Sequence, residues 1–275
     1  MGSVAWVTGA SRGIGRAAAV ALARHGCDIV LSARTVTDAD GFEHSLTVTA
    51  SDAGPLAGSL SSVAAEIRAI GRQAWLAPFD LTDVDAAAAA VRQVLTDVGL
   101  VDVLVNNGRY VGPGTLDHFV DTPIELIDLH LRANVLAPMA LIQGLLRATP
   151  HERELRIVNV SSSTGTRDPS AATGEGGWSM GYGVSKGAFH RIAGILRAER
   201  GDRRLFACNV MPGPTATERM SAVLDSYGFG PDQEWAAPSM CGDVIGWLGT
   251  ADEAWAYDGQ AVDARTLTAR IEASR

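Results

Sequence analysis

Within its first 34 residues the chain passes from a short apolar run, VAWVTGA, through a glycine-rich turn into the alanine-rich stretch RAAAVALARHG, and on into a second apolar run, DIVLSAR. The alanine-rich stretch holds no proline and closes on Gly26, a residue suited to the position just past a helix end. The flanking runs carry the β-branched and apolar residues of buried strands. Strand, turn, helix and strand in such quick succession commit the chain to a layered α/β architecture.

The alternation persists. SLSSVAAEIRAIG predicts a helix and QAWLAPFD a strand. DVDAAAAAVRQVLTDVG predicts a helix whose acidic first turn suits the helix dipole, and VDVLVNN a strand. Residues 122–148 carry helical periodicity, expected in two pieces meeting near Asn134. LRIVNVSS is a strand, residues 181–200 a helix, RLFACNVMPG a strand ending at Pro212, and DGQAVDA a last short strand. Strands apolar nearly throughout imply a parallel sheet covered by helices on both faces. The expected fold is therefore α/β, a doubly wound sheet in a single domain over residues 1–275, with no internal repeat or linker. Two segments, 35–58 and 164–180, read as inserted loops after strands, the edge where such sheets gather their ligands.

Composition narrows the partners. The chain is 47% hydrophobic and 20% charged, as a globular protein with a real core should be. A net charge of −8 argues against nucleic acid or an anionic membrane surface as partner, and leaves a small phosphorylated ligand open. No stretch reaches the roughly 18 apolar residues of a membrane span, and no signal peptide is apparent, so the expected location is cytoplasmic. Cys27, Cys208 and Cys241 are far apart, and the six histidines form no ligand spacing; no metal site is expected.

The turn VTGASRGIGRA places Gly9, Gly13 and Gly15 at G-x-x-x-G-x-G, between first strand and first helix. Glycine permits a tight turn and close approach of backbone to a pyrophosphate, whose charge the helix N-terminus meets. The second strand ends Ala33-Arg34, with no acid there to accept from a ribose; Asp28 lies at its other end. Arg34, with Arg12 in the turn, predicts a 2′-phosphate and hence NADP(H) over NAD(H). Further on, GYGVSK sets Tyr182 and Lys186 one helical turn apart. That pair is either a solvated surface pair or a tyrosine whose phenol is made more acidic by a neighbouring ammonium.

Taken in order, TGASRGIG (8–15), FDLTD (79–83), NNG (106–108), Asn134, IVNVSSSTG (157–165), YGVSK (182–186) and PGPTAT (212–217) resemble the short-chain dehydrogenases/reductases, compact Rossmann-fold oxidoreductases, over about residues 3–220. The resemblance implies hydride transfer between a nicotinamide and a ketone or secondary alcohol. It makes Tyr182 the general acid/base, Lys186 its activator and a ribose ligand, and Ser162 the donor to the substrate oxygen. Asn134 would be the helix-kink asparagine that holds a relay water. It puts the cofactor against Gly9, Ser11, Arg12, Gly13, Ile14, Gly15, Arg34, Asp80 and Leu81. Asn107, Gly108, Pro212, Gly213, Thr215 and Thr217 would complete its surroundings. Homodimers or homotetramers are implied as well, paired through the long helices.

Departures are visible. The family's N-N-A-G reads Asn106-Asn107-Gly108-Arg109, and the gap from Ser162 to Tyr182 is longer than usual. The extra residues predict a wall or lid, with Trp178 on it. Residues of about 215–250 should line the substrate, Met220, Leu224, Tyr227 and Phe229 supplying apolar surface for a hydrophobic, cyclic or steroid-like compound. Three other readings stand beside this one: a non-catalytic nucleotide-binding scaffold, an NAD(H)-preferring alcohol dehydrogenase, and an epimerase or dehydratase sharing the Tyr-x-x-x-Lys pair.

Overall fold

The computed structural model describes residues 2–40, 45–49, 56–223 and 234–273. Among these, seven strands form one sheet in the order β3-β2-β1-β4-β5-β6-β7, parallel at every pairing. They are β1 (Val4–Thr8), β2 (Asp28–Ser32), β3 (Ala74–Leu76), β4 (Val103–Asn106), β5 (Leu155–Val160), β6 (Leu205–Met211) and β7 (Ala261–Asp263). Helices α1 (Gly13–Arg24), α2 (Leu60–Ala69), α8 (Pro238–Thr250) and α9 (Ala264–Ala273) cover one face; α3 (Val84–Asp97), α5 (Ala137–Ala148) and α6 (Met180–Glu199) cover the other.

The strand pleat explains why the strands read as continuous apolar runs. Successive side chains point to opposite faces. Ala5, Val7, Ile29, Leu31, Val103 and Val105 pack on the α1 side, and Val4, Trp6, Val30 and Leu104 on the α3 side. Each aliphatic chain buried in this way contributes about 1.5–3 kcal/mol. The order reverses between β1 and β4, so the chain leaves these two strands in opposite directions and opens a crevice at their C-terminal ends.

Residues 122–148 form α4 (Ile124–Leu131), a π-helical turn (Arg132–Leu136) and α5 in one continuous run. The expected break near Asn134 is this π turn, which places Asn134 in the bulge of a bent helix. The run is long and apolar enough to cross a membrane by length and composition alone, yet half of it is buried, so core packing accounts for its apolarity.

The sequence reading did not predict α7 (Glu218–Val223), α8 or α9. In α8 the reason is physical. Gly242, Gly246 and Gly249 lower its helix propensity, and they are what lets it lie against α1. A Cβ on Gly242 would stand 2.7 Å from the Ala17 carbonyl carbon, and one on Gly246 3.0 Å from the Ala21 Cβ.

Candidate active site

The loops after β1, β2, β4, β5 and β6 meet at the crevice around a cavity of about 820 Å³. Of the residues expected to carry function, all line it except Ser11, Gly15 and Asn134, which stand just behind. Leu224, Tyr227 and Phe229 lie outside the described residues. Met220 and Trp178 do line the cavity, joined by Trp235 from the expected 215–250 lining and by Met211, which sequence reasoning missed.

The glycine turn is built as the spacing required. Gly9 and Gly13 have φ of 63° and 55°, the left-handed region glycine adopts without cost. A Cβ on Gly15 would lie 2.1 Å from the Gly9 carbonyl oxygen, so α1 can start this close to β1 only with glycine there. No side chain of Arg12 caps α1, and the Gly13 N–H donates to Glu218 Oε2 at 2.9 Å. A carboxylate thus already sits at the positive end of α1, the place suited to a phosphate. The cradle of backbone N–H groups, two cationic side chains and an ample cavity fits a dinucleotide.

The cationic side of that cradle differs in detail from expectation. Arg12 lines the cavity, but its Nε and Nη2 donate to the carbonyls of Ala57, Leu56 and Gly58 at 2.9, 3.1 and 2.7 Å. It ties the inserted loop to the turn. Arg34 faces Asp80 at 3.5 Å, and Asp80 Oδ1 accepts from the Thr82 N–H and hydroxyl at 2.8 and 2.9 Å. The Asp80 carboxylate, expected at the adenine, is already engaged on both oxygens. Asp28 lies at the far end of β2, where it accepts from the Gln73 N–H and pairs with Arg72. Of the 35–58 insert, only Thr35 among the described residues reaches the cavity. Leu46 instead accepts from the Leu116 N–H at 3.0 Å and packs with Leu116 and Val111 as a brace.

The segment after β4 is held by polar contacts the sequence reading did not anticipate. The Thr8 hydroxyl accepts from the Asn107 and Gly108 N–H groups at 3.0 and 3.1 Å. The Asn107 amide, expected along the ribose, donates to the Thr8 and Gly9 carbonyls at 2.9 and 3.1 Å. Gly108 sits against Gly9, and a Cβ on Gly108 would meet the Leu81 side chain at 2.5 Å; the altered NNGR sequence puts glycine, in place of the motif's alanine, where backbones touch. Below them Asn106, Asn159 and Asn209 stand in register on β4, β5 and β6, amide to amide at 3.0 and 3.3 Å. Side-chain amides can pair in this way in a buried layer, which is why polar residues interrupt otherwise apolar strands.

Tyr182, Lys186, Ser161, Ser162 and Ser163 share one wall. On α6 the four-residue spacing brings Tyr182 and Lys186 to the same face. Lys186 is fully buried, and its Nζ donates to the Val160 carbonyl at 2.8 Å. Burial, and then the charge of Arg109, pull the Lys186 ammonium down to a pKa of about 7. Tyr182 is half-buried, and its hydroxyl has no partner among the described residues. Ser162 accepts from the Thr164 N–H at 3.2 Å, which leaves its proton to donate, whereas Ser161 is turned to His190 Nδ1 at 3.3 Å. Ser162 is therefore left available as a donor where Ser161 is turned away, and the hydroxyl of Ser163, also on the cavity, is left available as well.

Asn134 is buried rather than solvated. Its Oδ1 accepts from the Tyr110 N–H at 2.7 Å, and its amide donates to Ser185 Oγ at 2.9 Å, which donates in turn to the Tyr182 carbonyl at 3.0 Å. Ser185 was missed by the sequence reading; its signal is only that it falls between Tyr182 and Lys186. Of the 164–180 insert, Thr164, Thr166, Arg167, Gly176, Gly177 and Trp178 line the cavity, Thr164 directly beside Ser162. Among the described residues that insert supplies more of the lining than 35–58, which contributes Thr35.

A family model described as short chain dehydrogenase matches residues 3–58 and 43–227. The chain is 30% identical to a cyclohexanol dehydrogenase of Rhodococcus sp. (strain TK6) over 254 residues, 90% of this chain and 89% of that protein. It spans about half the length of several other curated relatives it matches. Among solved structures it resembles a 3-oxoacyl-[acyl-carrier protein] reductase from Brucella melitensis in complex with NAD, at TM-score 0.75, 24% identity and 96% coverage of both chains. It also resembles the angucycline C-6 ketoreductase LanV with bound NADP, at TM-score 0.71 and 28% identity, over 95% of this chain and 93% of that one.

Proposed function

The chain belongs to the short chain dehydrogenase family of oxidoreductases, and from that premise we propose that it reduces a ketone to a secondary alcohol with NADP(H), or runs the reverse, using Tyr182 as general acid/base. The observation that carries this reading is the meeting of Tyr182, Lys186 and Ser162 on one wall of the cavity that the glycine turn opens into. When bound, the nicotinamide supplies or accepts the hydride at its C4.

The protein's own share is positioning and proton transfer. Ser162 donates a hydrogen bond to the carbonyl oxygen and stabilises the negative charge that builds there. Tyr182 gives its hydroxyl proton to that oxygen. Lys186, one turn along, holds positive charge beside the phenolate so formed. Asn134 and Ser185 fix the carbonyl end of the Tyr182 turn, and the π-helical backbone at Asn134 offers a place for a relay water to return the proton. The intact Ser–Tyr–Lys set speaks against a mere scaffold.

Selection of NADP(H) is supported by Arg34 and Arg12 on the cavity wall at the end of β2, with Asp28 too far away to compete. The relatives themselves include proteins bound to either dinucleotide. Titration with NADPH and NADH, followed by cofactor fluorescence, tests the choice. Arg34→Ala is expected to weaken NADPH binding about 10–100-fold, the worth of one charge-assisted hydrogen bond, and to leave NADH nearly unchanged. Equal losses for the two would remove the 2′-phosphate role of Arg34. Oxidation of NADPH by a panel of cyclic ketones tests the reaction itself.

Glu218 gives a second expectation. Its carboxylate occupies the Gly13 N–H, so a pyrophosphate must share or displace it. Glu218→Gln is expected to tighten NADPH binding about 2–5-fold, in line with one charge at a helix terminus. Weaker binding would mean the carboxylate helps to close α7 over the site. Homo-oligomers are supported by Ile124, Leu136, Met139, Val184 and Ile195, all 42–66% exposed on the long helices.

A further inference from the structure

Arg109 stands where the family's motif has glycine, and its guanidinium lies against the face of Tyr182, with Cζ 5.3 Å from the ring centroid. Its Nη1 donates to the Tyr110 carbonyl at 3.1 Å. No carboxylate pairs with it among the described residues, in a chain with 31 acidic and 23 basic side chains. A half-buried arginine in an acidic protein would ordinarily find an acid.

The surroundings sharpen the point. Among the described residues the cavity wall carries Arg12, Arg34, Arg109, Arg167, Lys186 and Arg219 against Asp80 and Asp263, with the Glu218 carboxylate at the Gly13 N–H. Arg12 and Arg34 stand by the glycine turn and the end of β2, the side suited to a dinucleotide's phosphates. Arg109 and Arg167 come instead from the loops after β4 and β5, on the side of Tyr182 and Ser162. The charge of Arg109 also bears on two buried neighbours, pushing Lys186 and His130 toward their neutral forms. Repulsion of this kind costs the unliganded protein stability, and it is relieved when an anion enters between the cations.

We propose that the substrate is an anionic ketone or secondary alcohol, whose carboxylate is held by Arg109 while its reacting oxygen faces Tyr182 and Ser162. The planar guanidinium fork suits a carboxylate held through two parallel hydrogen bonds. With Arg109 this close to the Tyr182 ring, carboxylate and carbonyl are separated by only a few atoms. Arg167, on the 164–180 wall, adds positive potential at the cavity mouth and draws such a substrate in. This inference rests on the reaction proposed above and leaves its chemistry unchanged: hydride goes to the carbonyl carbon and the Tyr182 proton to its oxygen.

The test uses matched ketones, such as cyclohexanone and 3-oxocyclohexane-1-carboxylate, with acyclic pairs of the same kind, on wild type, Arg109→Gln and Arg109→Lys. Wild type is expected to favour the carboxylates in kcat/KM. Arg109→Gln should reduce the ratio of carboxylate to neutral kcat/KM about 10–100-fold, mainly through KM, and Arg109→Lys should restore part of it. NADPH fluorescence titration of each variant reports whether the fold is intact. A wild type indifferent to the carboxylate would overturn the inference. So would equal losses on both members of a pair with a displaced pH–rate profile, which would make Arg109 a positioning residue for Tyr182. Binding of NADPH with no turnover of any ketone would fail the reaction reading instead, and the inference with it.

Discussion

Tyr182→Phe is expected to lower kcat about 10²–10⁴-fold, while NADPH still binds and the protein keeps its melting temperature within a few degrees. The magnitude is that of a lost general acid. The structural argument for so clean a loss is the setting of the ring. Tyr182 is half-buried on α6, its ring face is covered by Arg109, and its hydroxyl has no partner among the described residues. Phenylalanine therefore fills the same space and leaves no buried donor or acceptor stranded. What disappears is the proton. Single-turnover oxidation of bound NADPH by a ketone separates this loss from slow product release. A variant that kept a tenth or more of the wild-type single-turnover rate would move the acid elsewhere and reduce Tyr182 to a wall residue.

The same contrast between shape and charge governs what the sequence made legible. β1, α1 and β2 could be read because two buried strand faces leave no room for polar alternation, and the alanine-rich α1 packs close. α8 could not, because its glycines are bad for an isolated helix and good only against Ala17 and Ala21. That is tertiary packing overriding propensity. The site divides along the same line. Gly9, Gly13 and Tyr182 with Lys186 are local patterns, and the spacing alone brings them to the crevice. The partners of Arg12 are 23–46 residues away in sequence and those of Asn107 nearly 100, while Asp80 is held in part by a local turn, and no periodicity announces them. The 35–58 loop looked like a pocket wall because it follows a strand. In the fold, its described part divides between Leu116 and Asp117 on one side and Arg12 on the other, with Thr35 at the cavity.

Lys186 carries the largest expected conflict between stability and function. Lys186→Met should abolish turnover to within the residual seen for Tyr182→Phe, and at the same time make the unliganded protein more stable. The ammonium is fully buried, with the Val160 carbonyl and the face of the Phe189 ring for company. Its pKa falls from 10.5 in the ordinary state to about 7 in the fold. Between these values the unfolded chain holds a proton that the folded protein has released, so stability rises with pH across that window. Below pH 7 the full penalty is present, on the order of 3–5 kcal/mol. Methionine removes the penalty and fills the same volume, but leaves the Val160 carbonyl without its donor, a cost of about 1–3 kcal/mol. The net gain near neutrality is therefore centred on about 2 kcal/mol, a rise of several degrees for a chain of this size. The sign of its pH dependence is the decisive part. The difference in Tm between Lys186→Met and wild type should be greatest at pH 6–7 and shrink toward pH 9, as the folded wild type sheds the lysine proton that its unfolded chain still holds. A difference that stayed constant with pH would mean that Lys186 is no harder to charge in the fold than in water. The site would then owe its proton transfer to Tyr182 and its bound ligands alone, with no poised cation beneath them.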